Sequence, residues 1–217
     1  MSIYYKLLHN LHLNEETFVN IDPDIIITNI FNNNNECRKM ADTINDDIFT
    51  MAKQDGYNLI FDGVGKNYDW YFQNVFQDLK TNGYKVYLCI VICDLEIALS
   101  RIKNRTLQTG RNVNESILLD IHEILKTNIP RYIDLNCSDI DEIYVFDNTN
   151  AFTLMYLSKC NKLGEKSKRC FVKPDYHQFN YVKNACTRKV KSKIKSKIKS
   201  KLKLKLKLKS KSQKVKS

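Results

Sequence analysis

The stretch DGYNLIFDGVGKN, residues 55–67, decides the fold class of this chain. Its apolar part, YNLIF at 57–61, has the length and the aromatic and β-branched content of a buried strand, and the polar DGVGKN follows it. A second stretch, KVYLCIVIC at 85–93, is apolar throughout, which is typical of a strand covered on both faces. A helical pattern at 68–82 lies between them. A strand, a helix and a strand in this order predict a parallel sheet with helices packed on it.

The same alternation continues on both sides of this stretch. Apolar periodicity predicts helices at 3–13, 36–54, 95–108 and 114–127, with another after Pro130, and strands at 17–21, 142–146 and 152–157. In the helix at 36–54 the expected apolar face consists of Met40, Ile44, Ile48 and Met51. Signals for helix starts and stops are Gly56, Gly83, Asp94 and Asn114. We therefore predict a three-layer α/β domain with a mostly parallel sheet.

Positive charge is concentrated at the C-terminus. Residues 187–217 hold fourteen Lys and one Arg without Asp or Glu, and from 189 to 211 every odd position is Lys. Removing these fifteen charges from the net charge of +11 leaves residues 1–186 at −4. Such a run has little apolar area to bury, so we expect it to be disordered. Because its charge is positive throughout, we expect it to bind a polyanion, either a nucleic acid or an acidic membrane surface. The alternative is a repeat expansion without a function.

The sequence contains no Walker A loop. That pattern, GxxxxGK[ST], needs glycines that let backbone amides wrap around a phosphate. The first glycine of the chain is Gly56. Gly65 is followed by Lys66, but Ile60 stands where the first glycine is required and Asn67 where Ser or Thr is required. The chain as given therefore lacks the usual cradle for the phosphates of ATP.

A series of motifs resembles, in order and spacing, those of the zeta toxin kinases, which are P-loop kinases of small molecules. The motifs are NIDPD at 20–24, DGYNLIFDGVGKN at 55–67, YKVYLCIVI at 84–92, Arg105, TGR at 109–111, NIP at 128–130 and VFDN at 145–148. The resemblance covers roughly Phe18 to Asn150. It implies a P-loop kinase fold, with ATP and Mg²⁺ as the phosphoryl donor.

The resemblance also implies that a Walker A strand and loop should precede the helix predicted at 3–13. Met1 and Ser2 stand where the end of that loop is expected. We accordingly predict an N-terminally truncated, zeta-toxin-like kinase domain over 1–158 that lacks its first strand. A poorly defined extension over 159–186 and a disordered Lys-rich tail over 187–217 complete the predicted organisation.

The catalytic residues of the family have counterparts in this chain. Phosphoryl transfer needs a base for the attacking hydroxyl, a metal ion at the phosphates and cations against the developing charge. The resemblance assigns the base to Asp24 and the cations to Arg105 and Arg111. It places Asp62 at the end of a strand in a Walker-B-like position, where Asp62 and Asp22 could hold the metal. Other interpretations stay open: Asp24 as a helix N-cap, Asp22 as a turn residue, and each arginine as a surface cation.

Four residues are expected to bind the substrate: Asp46, Asp62, Lys66 and Asn67. Asp46 matches a substrate-binding acid of the family, although a solvated helix face would equally suit it. Lys66 stands where the family usually has Arg, and Val64 where Thr is common. Val cannot form a hydrogen bond, and Lys is not a fork-shaped donor. The resemblance implies a hydroxyl acceptor on a small molecule, in bacterial toxins a UDP-activated amino sugar, and these departures leave its identity open.

The seven cysteines have irregular spacing, which favours reduced thiols over a zinc site or a disulfide framework. Cys89 and Cys93 lie in the predicted strand at 85–93, where a thiol acts as a small hydrophobe. The longest apolar run, Val86 to Cys93, is too short for a bilayer, and no signal-peptide cleavage site follows the N-terminus. These features predict an intracellular, cytoplasmic protein.

Three functions are consistent with the sequence. The first is an ATP-dependent kinase of a small-molecule hydroxyl, impaired by loss of the P-loop. The second is a catalytically inactive relative that keeps the substrate cleft. The third is a binder of nucleic acid or anionic surfaces that acts through the tail. In-frame sequence upstream of Met1 distinguishes the first two, and the salt dependence of binding tests the third. No antitoxin partner can be identified from these residues.

Overall fold

The computed structural model describes residues 8–9, 17–109, 114–171 and 182. Within these residues the strands are β1 (Phe18–Ile21), β2 (Asn58–Phe61), β3 (Tyr87–Ile92), β4 (Glu142–Asp147), β5 (Thr153–Cys160) and β6 (Lys166–Cys170). The helices are α1 (Pro23–Phe31), α2 (Arg38–Gln54), α3 (68–81), α4 (Leu95–Thr109) and α5 (Glu115–Ile133), and a 3₁₀ turn covers Asn35–Cys37. Helix α3 has a π-helical middle, Phe72–Gln77, between the α-helical segments Tyr68–Tyr71 and Asp78–Thr81.

The strands form two sheets within the described residues. Strands β1 and β2 pair in parallel, with Ile21 opposite Phe61. In the second sheet β3 and β4 are parallel, whereas β4, β5 and β6 are mutually antiparallel. The predicted α/β class with parallel strands is confirmed. Strand β6 has no counterpart in the prediction, because it falls in the polar stretch 159–186, whose sequence contains no strong strand pattern.

Helix α1 follows β1 directly and was not predicted as a separate helix. Asp22 is its N-cap, since the carboxylate oxygen accepts a hydrogen bond from the amide of Asp24 at 2.8 Å. Pro23 occupies the first helical position, where the missing proline N–H is not needed. The sequence DPD therefore ends the strand and starts a helix at the same point, which positions Asp22 and Asp24 at the end of β1.

The predicted face of α2 is only partly correct: Ile44 and Ile48 are partly buried against the core clusters, whereas its two methionines are not. Met40 and Met51 are 58% and 63% exposed. The side chains that pack inward instead are Ala41, Asn45, Phe49 and Ala52. Both sets repeat at helical spacing, so periodicity alone left the phase of the helix undecided. The small side chains Ala41 and Ala52 allow close packing, while the flexible methionines extend along the solvent side.

Helix α5 runs through Pro130, where the sequence predicted a break. Asn114 caps its start, because the side-chain oxygen accepts a hydrogen bond from the amide of Ser116 at 2.9 Å. Pro130 lies one turn from the C-terminal end, and the residues beside it are buried. Ile129 is 1% exposed and Ile133 is 0% exposed. Burial of this apolar end in the core compensates for the backbone hydrogen bond that proline cannot donate.

The main hydrophobic core unites both sheets with α2, α3 and α5. Buried residues from every layer belong to it, including Ile21, Phe49, Val75, Ile133, Ile143 and Tyr156. Partly buried side chains of β2 and β3 pack against the same core: Leu59, Phe61, Leu88 and Ile90. Phe61, the last residue of β2, meets the Phe49 ring edge-on at a centroid distance of 5.4 Å. The core thus holds the carboxyl end of β2 in a fixed position.

The prediction of reduced thiols is wrong for three cysteines. Cys137, in the turn after α5, forms a disulfide with Cys160, the last residue of β5, and their Cα atoms are 5.6 Å apart. Cys170 is also disulfide-bonded. Cys37, Cys89 and Cys93 are free. The antiparallel return of β5 beside β4 brings Cys160 back to the α5–β4 turn, a contact that the sequence spacing does not reveal.

The helices of the described segments include none that is long and apolar enough to cross a membrane.

Candidate functional site

Three carboxylates meet at the carboxyl ends of β1 and β2. Asp22 follows Ile21, Asp62 follows Phe61, and Ile21 and Phe61 are opposite each other in the parallel pair. The amide of Asp62 donates to the carbonyl oxygen of Ile21 at 3.0 Å, which extends the pairing by one step. Asp24 lies in the first turn of α1 beside them. Open α/β sheets place their ligands at this edge, so the acidic trio (Asp22, Asp24 and Asp62) is the candidate site.

The carboxylates of the trio interact electrostatically at Asp62. The pKa of Asp62 is raised, first because neighbouring atoms reduce its hydration, and then because the negative charges of Asp22 and Asp24 disfavour its ionised form. A hydrogen bond from the backbone of Gly63 opposes part of this rise. A carboxylate whose ionisation is disfavoured by two others attracts a proton or a cation.

Asp24 forms an ion pair with a residue of the next helix. The guanidinium of Arg38, the first residue of α2, donates to the Asp24 carboxylate at 2.6 Å and also contacts Asp42 at 3.0 Å. Asp22, not Asp24, caps α1, so the interpretation of Asp24 as the N-cap is wrong. The role of Asp24 as a general base stays a prediction.

Two side chains of α5 hold the loop 62–67. Gly65 has a φ of +74°, a conformation that favours glycine. Its carbonyl oxygen accepts a hydrogen bond from the hydroxyl of Tyr132 at 2.9 Å. The side-chain amide of Asn128 donates to the carbonyl oxygen of Lys66 at 2.7 Å. The only sequence signal for this clamp was the NIP motif at 128–130, to which no role was assigned.

Gly63 lies against an aromatic side chain from α3. A Cβ atom added at Gly63 would come within 2.1 Å of the Tyr71 hydroxyl oxygen. The Tyr71 ring is itself held edge-on between Phe61 and Trp70, at centroid distances of 6.1 Å and 5.1 Å. The backbone between Asp62 and Gly65 can therefore follow this path only because residue 63 has no side chain.

Lys66 and Asn67, two predicted substrate-binding residues, are exposed in this loop. Asn67 is the N-cap of α3, because its side-chain oxygen accepts from the amide of Trp70 at 3.3 Å. Asn128 binds the carbonyl oxygen of Lys66 and not its side chain. The clamp therefore does not set the direction of the Lys66 ammonium group. Both stand within a few residues of Asp62, and their contacts with a substrate stay predictions.

Asp46 lines a separate groove between α2 and α3. The groove has a volume of about 430 Å³ and is lined by Asp46, Phe49, Thr50, Lys53, Trp70, Gln73, Asn74 and Asp78. The pKa of Asp46 is raised by reduced hydration and then by the charges of Asp42 and Asp47. The ring of Phe61 contacts two residues that line this groove, Phe49 and Trp70.

The placement of the predicted catalytic arginines at the trio stays a prediction. Arg105 is exposed on α4, and Arg111 lies outside the described residues. A third arginine, Arg101, has a structural role. Its guanidinium donates to the carbonyl oxygens of Asn148 at 2.7 Å and Thr149 at 3.0 Å, which fixes α4 against the chain after β4.

The fit of a metal ion and of ATP can be judged from the side chains at the trio. No cluster of three or more His, Cys, Asp or Glu side chains suited to a metal occurs among residues 8–9, 17–109, 114–171 and 182. Mg²⁺ commonly takes only one or two carboxylates, with waters and substrate phosphates completing its shell. Asp22 and Asp62 fit that pattern. No residues that could cradle the phosphates of ATP are identified, because the sequence lacks the Walker A pattern.

One comparison with known proteins identifies a relationship. The family model described as zeta toxin matches residues 18–159, which is 142 of the 217 residues. The match begins at β1 and ends within β5, so it includes the acidic trio, the loop 62–67 and the clamp from α5. Searches of the curated proteins and of the solved structures found no significant match.

Proposed function

The chain belongs to the zeta toxin family, and on that premise we propose that the acidic trio is the acceptor side of an ATP-dependent kinase for a small-molecule hydroxyl. The observation that carries this proposal is the meeting of Asp22, Asp24 and Asp62 at the carboxyl ends of two paired parallel strands. Phosphoryl transfer requires a proton acceptor beside a metal-binding carboxylate, and the grouping of carboxylates at this edge of the sheet supports the assignment of both roles to the trio.

Each member of the trio has a distinct role in the proposal. Asp24 accepts the proton of the attacking hydroxyl, and its ion pair with Arg38 fixes the direction of the carboxylate. Asp62 and Asp22 hold Mg²⁺, which would neutralise charge on the phosphates when bound. The raised pKa of Asp62 supports this assignment, because a nearby dication would offset the repulsion from Asp22 and Asp24.

The loop 62–67 presents the acceptor in this proposal. Lys66 and Asn67 contact the substrate from the loop, and the clamp from Asn128 and Tyr132 keeps the loop backbone in place. The groove with Asp46 would accept a further part of the substrate beyond Phe61. A UDP-activated amino sugar, the acceptor of bacterial members, is the first compound to test. Arg105 and Arg111 would face the transferred phosphoryl group.

Transfer from ATP should be strongly impaired in the chain as given. A phosphate loop stabilises charge through a lysine and several backbone amides, and loss of a single such donor costs about 10²–10³ in rate. The chain contains no Walker A sequence. We therefore propose a domain that retains the acceptor cleft and performs little or no transfer by itself.

Calorimetry on the full chain tests this proposal. A UDP-activated N-acetyl amino sugar is titrated into the wild type, Asp62→Asn and the matched control Asp120→Asn, which changes an exposed acid on α5. Binding to the wild type and the control but not to Asp62→Asn is the expected result. Equal binding to all three proteins would refute the site assignment. Micromolar binding of Mg·ATP, or measurable transfer of labelled phosphate, would refute the proposed loss of phosphoryl transfer from ATP.

A further inference from the structure

Tyr71 brings a hydroxyl group into the loop 62–67. Its side chain comes from the first turn of α3, and the hydroxyl oxygen reaches the backbone of Gly63. A Cβ atom at Gly63 would lie 2.1 Å from this oxygen and 2.9 Å from the ring carbon that carries it. Because Gly63 directly follows Asp62, the hydroxyl lies at the part of the loop that borders the acidic trio.

The ring of Tyr71 is fixed by aromatic neighbours. It meets Phe61 edge-on at a centroid distance of 6.1 Å and Trp70 at 5.1 Å. Phe61 is the last residue of β2 and packs against the main core. A hydroxyl carried by a packed ring loses little conformational entropy when it meets a ligand, because the side chain is already ordered. The setting of Tyr71 therefore suits a binding group.

The Tyr71 hydroxyl accepts hydrogen bonds from the loop and keeps its own proton to donate. A phenol hydroxyl can both donate and accept. The pKa of Tyr71 is raised, first because burial reduces the hydration of the hydroxyl, while hydrogen bonds from the amides of Gly65 and Val64 oppose part of the rise. Among the hydrogen bonds of the described residues, none uses the proton of this hydroxyl. One donor thus remains for a ligand.

The side chains around this hydroxyl supply acceptors but no second donor. Residues 62–65, DGVG, contribute one carboxylate and one isopropyl group. The ionised carboxylates of the acidic trio can only accept hydrogen bonds. A molecule whose hydroxyl donates to a carboxylate also carries oxygen atoms, which need donors when they leave water. The Tyr71 hydroxyl is placed to meet such an oxygen at this end of the loop.

We propose that Tyr71 is a substrate-binding residue whose hydroxyl donates a hydrogen bond to a carbonyl or hydroxyl oxygen of the acceptor molecule beside Asp62. The trio and Tyr71 then recognise complementary groups: the carboxylates bind a group that carries a proton, and the phenol binds an oxygen. The contact selects against an analogue without that oxygen, because the donor would be left unpaired in the complex. The inference rests on the proposed function, since it adds a contact to the same acceptor cleft.

Calorimetry on the full chain gives the first test. A UDP-activated N-acetyl amino sugar is titrated into the wild type, Tyr71→Phe and the matched control Tyr87→Phe, which removes a hydroxyl from a side chain on β3 that is 48% exposed. We expect Tyr71→Phe to bind the sugar about three- to tenfold more weakly, the loss typical of one hydrogen bond, and the control to bind like the wild type. Equal binding by all three proteins would overturn the inference.

A pH series separates donation to the sugar from support of the loop. Tyr71 is replaced by a ring-difluorinated tyrosine, whose phenol ionises near neutral pH, whereas the raised pKa keeps the wild-type hydroxyl protonated. An ionised oxygen accepts the loop amides more strongly but has no proton to donate. Relative to the wild type, the affinity of this variant for the sugar should therefore fall from pH 6 to pH 9. Constant or rising affinity would mean that the hydroxyl only supports the loop, which would overturn the inference.

The same fluorinated residue at Tyr68 is the control for charge, because Tyr68 also begins α3 beside the loop. A fall in affinity of equal size at both positions would mean repulsion by the new charge and would overturn the donor assignment. The fluorinated variant keeps the shape of tyrosine, so it decides the question even if Tyr71→Phe unfolds. Absence of sugar binding by the wild type would refute the proposed function together with this inference, whereas normal binding by Tyr71→Phe refutes the inference alone.

Discussion

The guanidinium of Arg38 lies 2.6 Å from the carboxylate of Asp24, the residue proposed as the general base. The two residues start successive helices, α1 and α2, and both side chains are close to half exposed. The pair orients a carboxylate at the carboxyl end of β1 without burying it.

A double-mutant cycle on this pair should give a small coupling energy. Because solvent screens the two charges, Arg38→Gln and Asp24→Asn should couple by only about 0.2–1 kcal/mol in the free energy of unfolding. Urea denaturation of the wild type, both single variants and the double variant measures it. A coupling above about 2 kcal/mol would contradict the solvent-screened description of the pair.

Replacement of Asp62 should alter the pH dependence of stability. The folded-state pKa of Asp62 is raised, by reduced hydration and then by Asp22 and Asp24. Between the unfolded-state pKa of about 3.9 and the raised folded-state pKa, the folded protein therefore binds more protons than the unfolded chain. The contribution of Asp62 to stability therefore falls as pH rises through this window. Asp62→Asn should match the wild type near pH 3 and exceed its stability at pH 7.

Urea unfolding at a series of pH values between 3 and 7 provides the measurement for Asp62. Asp120→Asn serves as the control because Asp120 is exposed on α5. If the free energy of unfolding of Asp62→Asn fell below that of the wild type at pH 7 but not at pH 3, the native state would favour the ionised form of Asp62. That result would contradict the raised pKa.

Gly63→Ala should destabilise the protein by about 1–3 kcal/mol, because its new methyl group would overlap the hydroxyl of Tyr71. Tyr71→Phe removes the nearest clashing atom, so the double variant should lose less stability than the sum of the two single variants. Val64→Ala, at an exposed position in the same loop, provides the control. Strict additivity in urea unfolding would show that Gly63 and Tyr71 do not compete for the same space.

Loss of the Cys137–Cys160 disulfide should lower stability by about 3 kcal/mol, the value expected when a loop of this length is released in the unfolded chain. The double variant Cys137→Ser/Cys160→Ser should therefore unfold at a lower temperature under non-reducing conditions. Cys37→Ser, at a free cysteine, is the control. Equal melting temperatures for the double variant and the wild type would show that the bond is not formed in solution.

The Lys-rich tail should bind polyanions in a strongly salt-dependent manner. Residues 187–217 carry fifteen positive charges without an acid. The full chain should bind a DNA duplex at 50 mM salt. Its affinity should fall by about 10³–10⁵ at 200 mM salt, the loss typical of a protein with six to ten phosphate contacts. Fluorescence anisotropy on the full chain and on a variant ending at residue 186 measures the effect. Binding that persists in the shortened variant, or that ignores salt, would locate the contact elsewhere.

Much of the fold and the positions of the acidic residues could be predicted from the sequence. The strands at 58–61 and 87–92, the helix starts after Asp94 and Asn114, and the glycines Gly56 and Gly83 depend on interactions within a few residues. Capping oxygens and positive φ angles act locally, so their sequence signals hold in most contexts. For the same reason Asp22, Asp24 and Asp62 could be placed at strand ends before any contact was known.

Tertiary structure alone decided which of these residues meet and how. The amino-acid pattern could not choose between two helical faces of α2, because the sets that contain Met40 and Ala41 both repeat at helical spacing. Packing against α1 and the sheet decides between them. The pairing of Asp24 with Arg38 and the bond between Cys137 and Cys160 likewise join positions 14 and 23 residues apart. Such contacts depend on where the chain returns in space, which local backbone preferences do not encode.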